Sequence, residues 1–178
     1  MAQPSSTFSI VPHRDSWKDD FENEAALLRR AFGSALTALH HIGSTAVPGL
    51  PAKPVIDILA EFTDLPAADA CSAAMQALGY EVMGEFGIAG RRYYRKKGAS
   101  GKRTHQVHGF VSGTPDVARH LAFRGYLRCH PGTVLAYGVL KLRLLSSTRG
   151  DIEAYMDGKD AFVKEVEQRA LAWAEGER

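Results

Sequence analysis

Residues 39–61 read Leu39-His-His-Ile-Gly-Ser-Thr-Ala-Val-Pro-Gly-Leu-Pro-Ala-Lys-Pro-Val-Ile-Asp-Ile-Leu-Ala-Glu61, and the fold turns on them. An apolar run ends in Gly43-Ser44. Pro48, Pro51 and Pro54 then keep the following loop out of any helix and stiffen it. Residues 55–62 read as a strand. On a period of two, Val55, Asp57, Leu59 and Glu61 share one face, while Ile56, Ile58, Ala60 and Phe62 share the other. The second face is wholly apolar and must pack on a helix layer. The first carries two acids inside an apolar run, where a charge is costly unless it is paired or bound to metal. Asp57 therefore calls for a partner close by.

Working outward, residues 1–7 are polar and are expected to fray, and residues 8–11 make a short extended piece ended by Pro12. Asp15 or Ser16 caps a helix whose inner face is Trp17, Phe21, Ala25, Leu28 and Phe32, spaced by three or four, and Gly33-Ser34 closes it. Residues 36–42 form the strand that leads into Gly43-Ser44. Beyond the acid strand, Asp64 caps a helix with Pro66 in its first turn, Ala70, Ala74 and Leu78 on its inner stripe, and Gly79 as its stop. Strands are expected over 80–86, 91–97 and 104–111, with a turn at 87–90 and a hairpin-like connection at 98–101. Thr114-Pro115 starts a helix running to about His130 and stopped by Pro131. Thr133 caps the next, which turns Val134, Leu135, Val139, Leu140, Leu142 and Leu145 inward. Asp151 caps the last, with a candidate break at Asp157-Gly158 and Ile152, Tyr155, Phe162, Val166, Ala170 and Trp173 inward. Strands interleave with helices and helices follow, from about 114 to 175. The pattern argues an α+β (α/β-like) fold in one domain over 1–178.

Bulk properties exclude more than they assign. The chain is 45% hydrophobic and 24% charged, as globular proteins are, and its net charge of +2 does not by itself argue for nucleic acid. Cys71 and Cys129 fit neither a disulfide framework nor a zinc ligand set, and read as reduced thiols. The N-terminus lacks the basic and apolar regions of a signal peptide, and no apolar run approaches the ~18 residues that span a bilayer. A cytoplasmic protein with no membrane contact is expected.

Several residues carry candidate chemistry. Gly43-Ser44 is either a plain turn or a place where backbone and hydroxyl hold phosphate oxygens. His105 and His108 lie three apart on a strand and face opposite sides unless a bulge intervenes, whereas Gln106 and His108 share a face. His40 and His41 read as packing residues. The run 91–103 holds seven basic residues with Tyr93 and Tyr94 interleaved and no acid. It is either a solvated edge strand or a surface for triphosphate or RNA backbone, Arg92 turning inward. His120, Arg124 and Arg128 fall four apart on one helix. Lys141 interrupts an apolar face one turn from Tyr137, and Lys53 stands just before the acid strand.

The order strand, Gly-Ser, then an acid within a strand resembles the nucleotidyltransferase superfamily, which has the fold of polymerase β. The closer resemblance is to its GrpB family. It rests on the motif His41-Ile-Gly-Ser-Thr-Ala-Val-Pro-Gly-Leu-Pro-Ala-Lys-Pro-Val-Ile-Asp57 and on Phe123-Arg-Gly-Tyr-Leu-Arg-Cys-His-Pro131. Residues 137–141, Tyr155, Lys159 and Phe162 follow the family's C-terminal pattern, so the likeness covers nearly the whole chain. It implies a nucleotidyltransferase fold, a mixed β-sheet with flanking helices and a helical C-terminal third. In some relatives this domain is fused to dephospho-CoA kinase, which points to nucleotide or coenzyme metabolism.

The resemblance implies that a nucleoside triphosphate with Mg2+ or Mn2+ binds here and that a nucleotidyl group passes to an acceptor hydroxyl. Asp57 and Ser44 are the expected catalytic residues. Gly43, Ser44, Lys53, Arg92, Arg124, Arg128 and Lys141 would hold phosphates. Asp57 and His108 would hold metal, with Glu61 and His105 as further candidates. The sequence departs from the superfamily at Leu59, where a second metal-binding acid is expected, and Glu61 lies about 13 Å farther along the strand. The alternatives are a domain that binds a nucleotide or coenzyme intermediate without turnover, and an RNA-binding module.

Overall fold

The computed structural model describes residues 8–176, so the frayed end expected over 1–7 lies outside the described residues. Helix α1 (Ser16–Phe32) presents Trp17, Phe21, Ala25, Leu28 and Phe32 inward, each 6% exposed or less. A short 3-10 turn over Gly33–Ala35 follows, then strands β1 (Leu36–Ile42) and β2 (Ile56–Phe62). Helices α2 (Leu65–Ala70) and α3 (Ser72–Ala77) lead to β3 (Tyr80–Val82), β4 (Arg92–Lys97) and β5 (Arg103–Val111). Helices α4 (Pro115–Cys129), α5 (Pro131–Ser147) and α6 (Ile152–Gly176) complete the order.

The five strands form one mixed sheet in the order β1-β2-β5-β4-β3, with β2 and β5 parallel and the other neighbours antiparallel. Its two faces follow the period-two reading of the acid strand. Ile56, Ile58, Ala60 and Phe62 join Trp17, Phe21, Leu28, Tyr94 and Val107 in the larger core, under α1 and α3. Leu59 faces the other way and packs with Ile42, Phe110 and Val117 beneath α4. Asp57 is on this second face, at the end of β2 where the sheet is left open.

Four sequence expectations are corrected. The strand expected over 80–86 stops at Val82, because a turn puts Phe86 at φ 44° before the chain re-enters the sheet. Pro131 does not only stop α4; it opens α5 at its first turn, so Thr133 lies inside the helix. Thr114 spends its hydroxyl on the Val111 carbonyl (2.8 Å) and makes no side-chain cap. Leu135, Val139 and Leu142 are 71%, 52% and 47% exposed, since α5 turns Tyr137, Gly138 and Lys141 toward the body of the protein.

Two other caps match their readings. Asp64 Oδ1 accepts from Ala67 N at 2.7 Å. Asp151 Oδ1 accepts from Glu153 N and Ala154 N at 3.0 and 3.1 Å, and α6 runs unbroken through Asp157-Gly158. Because α6 supplies one wall of the site described next, Asp151→Ala is expected to cost about 1 kcal/mol of stability. The check is a denaturant midpoint that falls at unchanged slope.

Candidate functional site

The site is built from the turn after β1. Gly43 has φ 70° and ψ −170° and stands against Asp57 so closely that a Cβ would lie 2.5 Å from Oδ2. Ser44 then opens a 3-10 turn, closed by Ala46 N donating to Gly43 O and Val47 N to Ser44 O, both 3.2 Å. Helix α4 braces this turn from above. Arg124 Nη1 donates to His41 O at 3.0 Å, and Arg128 Nε donates to Ala46 O at 2.8 Å. From below, the His41 ring stacks on Phe21 at 4.9 Å and bonds Thr45 Oγ1 at 2.9 Å. Burial first, then Arg128, pushes His41 down to about 4, so it packs as a neutral ring.

A cavity of about 360 Å³ opens between this turn, the ends of β2 and β5, and helices α4, α5 and α6. Three lysines point into it. Lys141, 2% exposed, donates to Ser44 Oγ and to Pro51 O (3.0 Å), its ammonium 4.4 Å from the Tyr137 ring centre. Lys159 lies 5.4 Å from the Tyr155 ring, and Lys53 lies between the rings of Phe8 and Tyr155 at 5.7 and 5.8 Å. Burial, then Lys159, lowers Lys141 to about 7. Burial, then Lys53, lowers Lys159 to about 8, and burial lowers Lys53 as well. The one carboxylate that opposes these shifts in all three lysines is Asp57. Asp160 and Glu167 also line the cavity but are paired with Lys164 and Arg119, which leaves Asp57 as the carboxylate whose charge reaches all three lysines.

Asp57 Oδ1 is 3.7 Å from His108 Nε2, on the neighbouring parallel strand. The His108 ring rests against Tyr93 (5.4 Å) and His120 (5.7 Å). Gln106, directly opposite Asp57 in the sheet, is oriented by Tyr93, whose hydroxyl donates to Gln106 Oε1 at 2.8 Å. Burial, then Arg119, drives His120 down to about 3. Arg119 is itself held by Glu167 (2.7 Å) and Asp116 (3.2 Å).

Thus Gly43, Ser44, Lys53, Asp57, His108 and Lys141 line one cavity. Five other candidates do not, each for a visible reason. Arg92 faces α2 on the opposite side of the sheet, bidentate to Asp69 at 2.5 and 2.8 Å. Arg124 and Arg128 spend a guanidinium hydrogen bond each on carbonyls of the Gly-Ser turn, so they shape the site from behind it. Glu61 shares the Asp57 face but sits at the far end of β2, where His40 (2.7 Å) and Ser112 (2.5 Å) bond it. His105 faces α1, 3.9 Å from Glu24, because β5 runs without a bulge between it and His108.

Lys159 was the residue missed. It falls four after Tyr155 and three before Phe162 on the inward stripe of α6, a lysine interrupting an apolar face as Lys141 does. The same signal was available to find it.

The donor atoms decide what metal arrangement the site fits. One carboxylate and one imidazole face a common space, and among the described residues no group of three His, Cys, Asp or Glu could share an ion. Mg2+ commonly takes one or two carboxylates and completes its shell with water and substrate phosphates, so the set fits one ion brought in with a polyphosphate. It does not fit a pair of ions, because the neighbouring position is Leu59, fully buried against Ile42 and Phe110.

A Gly-Ser turn after the first strand, an acid on the next strand, a mixed sheet and a helical C-terminal part make up a nucleotidyltransferase-like fold. Cid1, solved with its short product ApU, shares that fold: TM-score 0.52 at 13% identity, over 74% of this chain and 42% of that one. The chain belongs to the GrpB family, whose model, described as GrpB protein, matches residues 7–169. The crystal structure of GrpB from Enterococcus faecalis superposes with a TM-score of 0.88 at 41% identity, covering 93% of this chain and 99% of that one. UPF0157 protein YqkA of Bacillus subtilis is 42% identical over 97% of this chain, which spans 50% of YqkA's length. A dephospho-CoA kinase of Mycobacterium tuberculosis is 30% identical over 93% of this chain, which again spans about half of it (46%). Among the described residues no helix is long and apolar enough to cross a membrane.

Proposed function

We propose that the cavity binds a nucleoside triphosphate together with one Mg2+ or Mn2+, and that a nucleotidyl group is transferred there to an acceptor hydroxyl. The observation that carries the reading is the placing of Lys53, Lys141 and Lys159 around Ser44 and Asp57, in a cavity whose other acids, Asp160 and Glu167, are paired with Lys164 and Arg119. Three half-buried or buried ammonium groups repel one another until an anion joins them, and a polyphosphate supplies several negative charges in a row. The Ser44 hydroxyl and the backbone of the turn are placed to contact phosphate oxygens, and Gly43 lets the phosphorus approach Asp57. Asp57 and His108 would hold the ion, which supplies neutralisation of charge on the transferring phosphoryl group. What remains for this chain is positioning, with the lysines facing the leaving pyrophosphate.

Calorimetric titration with ATP, GTP, CTP and UTP, each with Mg2+ or Mn2+, tests the reading. At least one is expected to bind, and Asp57→Ala is expected to weaken that binding about tenfold or more, the loss of one charged contact of roughly 1.5–3 kcal/mol. No binding by any of the four, or equal binding by Asp57→Ala, overturns it.

A second reading is favoured by Leu59: the domain binds a nucleotide or a phosphorylated coenzyme intermediate without turning it over. The kinase match adds coenzyme intermediates to the ligands worth titrating. Binding that survives EDTA with no pyrophosphate released supports this reading over transfer. The RNA reading is weakened, because the two tyrosines of the basic run are 4% and 1% exposed and offer no stacking surface.

A further inference from the structure

The turn between β3 and β4 carries an oddity that the nucleotide cavity does not use. Phe86 combines a left-handed backbone (φ 44°) with 56% exposure. Both are unfavourable for a phenylalanine, and such a residue persists only where its surroundings hold it. Here the hold is specific. Arg91 Nη2 donates to Phe86 O at 2.7 Å, Arg91 Nε donates to Glu85 O at 3.2 Å, and Tyr93 N donates to Gly84 O at 2.9 Å. The Phe86 ring stacks on Tyr93 (5.3 Å, 26°), leaving its other face to solvent.

That stack stands on the same sheet face as Asp57. Tyr93 bonds Gln106 and touches His108, and His108 is the neighbour of Asp57. Helix α4 packs on β1, β2 and β5, whereas on the same face of β4 Arg95 is half-buried and Lys97 exposed. This edge is basic. Arg95 lies opposite Gln106 and Lys97 opposite Arg103, the first two sharing a single acid, Glu81, at 2.6 and 3.1 Å. Arg103 is exposed and stands opposite Lys97 on this edge, and its charge lowers both Lys53 and Tyr93.

We propose that Phe86 and the basic edge around Arg103 form an acceptor subsite beside the cavity, which takes a mononucleotide-sized molecule with a flat ring for Phe86 and a phosphate for Arg103. The charge complementarity decides for a phosphate-bearing ligand. One exposed aromatic platform decides for a single ring, since surfaces for single-stranded nucleic acid stack successive bases on successive aromatics. The inference rests on the transfer reading for its word acceptor, but its binding site stands apart from that reading.

The test is titration of AMP into protein saturated with pyrophosphate, which fills the lysine cavity. AMP binds, Phe86→Ala and Arg103→Glu each weaken it about tenfold, and Phe86→Trp restores it. Ribose 5-phosphate binds the unaltered protein no better than AMP binds Phe86→Ala. Pyrophosphate affinity is unchanged in the two Phe86 variants and Tm is unchanged in all three, which shows them folded. AMP binding indifferent to Phe86 overturns the subsite, and so does a ten-nucleotide oligouridylate that binds more tightly than AMP with a steep salt dependence. If pyrophosphate fails to bind but AMP still depends on Phe86, the proposed function falls while the site remains.

Discussion

Raising the pH from 7 to 9 is expected to weaken pyrophosphate binding by tenfold or more, and Lys141→Met with Lys159→Met is expected to abolish it. The sign follows from the lysines. Burial and mutual repulsion bring Lys141 to about 7 and Lys159 to about 8 in the unliganded protein, well under the 10.5 of a free lysine. A bound polyphosphate favours their charged forms, so binding takes up protons. Below pH 7 those protons are already in place. Above it, each lysine that must be protonated costs about a factor of ten per pH unit beyond its unliganded value. Pyrophosphate's own remaining ionisation across this window pushes the other way, since it adds negative charge that favours binding. An affinity that falls as pH rises is therefore diagnostic of the lysines.

The same shifts have the opposite consequence for the unliganded fold. Between the lowered folded values and 10.5 the unfolded chain binds more protons, so stability rises with pH from about 7 toward 10. Lys159→Met alone should flatten the affinity profile and move the Lys141 midpoint upward, because its nearest like charge is gone. Calorimetry in buffers of different ionisation enthalpy counts the protons directly. No uptake at pH 8, or affinity flat from pH 7 to 9, would sink the three-lysine account.

How far these features could be read in advance depended on whether one element or several decided them. The two faces of residues 55–62 follow from alternation alone, and so did the opposed directions of His105 and His108. Lys141 was visible as a charge on an apolar face, and Lys159 carried the same signal. Arg124 and Arg128 looked like phosphate ligands because their spacing fits a stripe. Nothing local told that His41 O and Ala46 O would be left without strand partners and take them first. Arg92 likewise depended on Asp69, twenty-three residues away in another layer. Apolar spacing in α5 promised a buried stripe, but the helix has only one neighbour-facing side, and the cavity claimed it for Tyr137 and Lys141.

Gly43→Ala is expected to be the most damaging single substitution in the site, removing ligand binding and lowering stability together. Two separate effects add. At φ 70° and ψ −170° the backbone lies in a region open essentially to glycine alone, which costs another residue about 1–3 kcal/mol. A Cβ would also stand 2.5 Å from Asp57 Oδ2 and 3.0 Å from Asp57 Cβ, so either the turn or β2 must shift. A shift of the turn moves Ser44 off Lys141 and disturbs the carbonyls that Arg124 and Arg128 hold. The two effects can be separated. Gly43→Ala with Asp57→Ala removes the close oxygen and keeps the backbone strain, so part of the lost stability returns while binding does not. Gly49→Ala is the control for strain alone, with φ 78° and no atom within 4 Å of the new Cβ, and it should lower Tm without touching pyrophosphate affinity. A Gly43→Ala protein with unchanged Tm and an affinity within twofold would mean that the approach of the turn to Asp57 is incidental to the site.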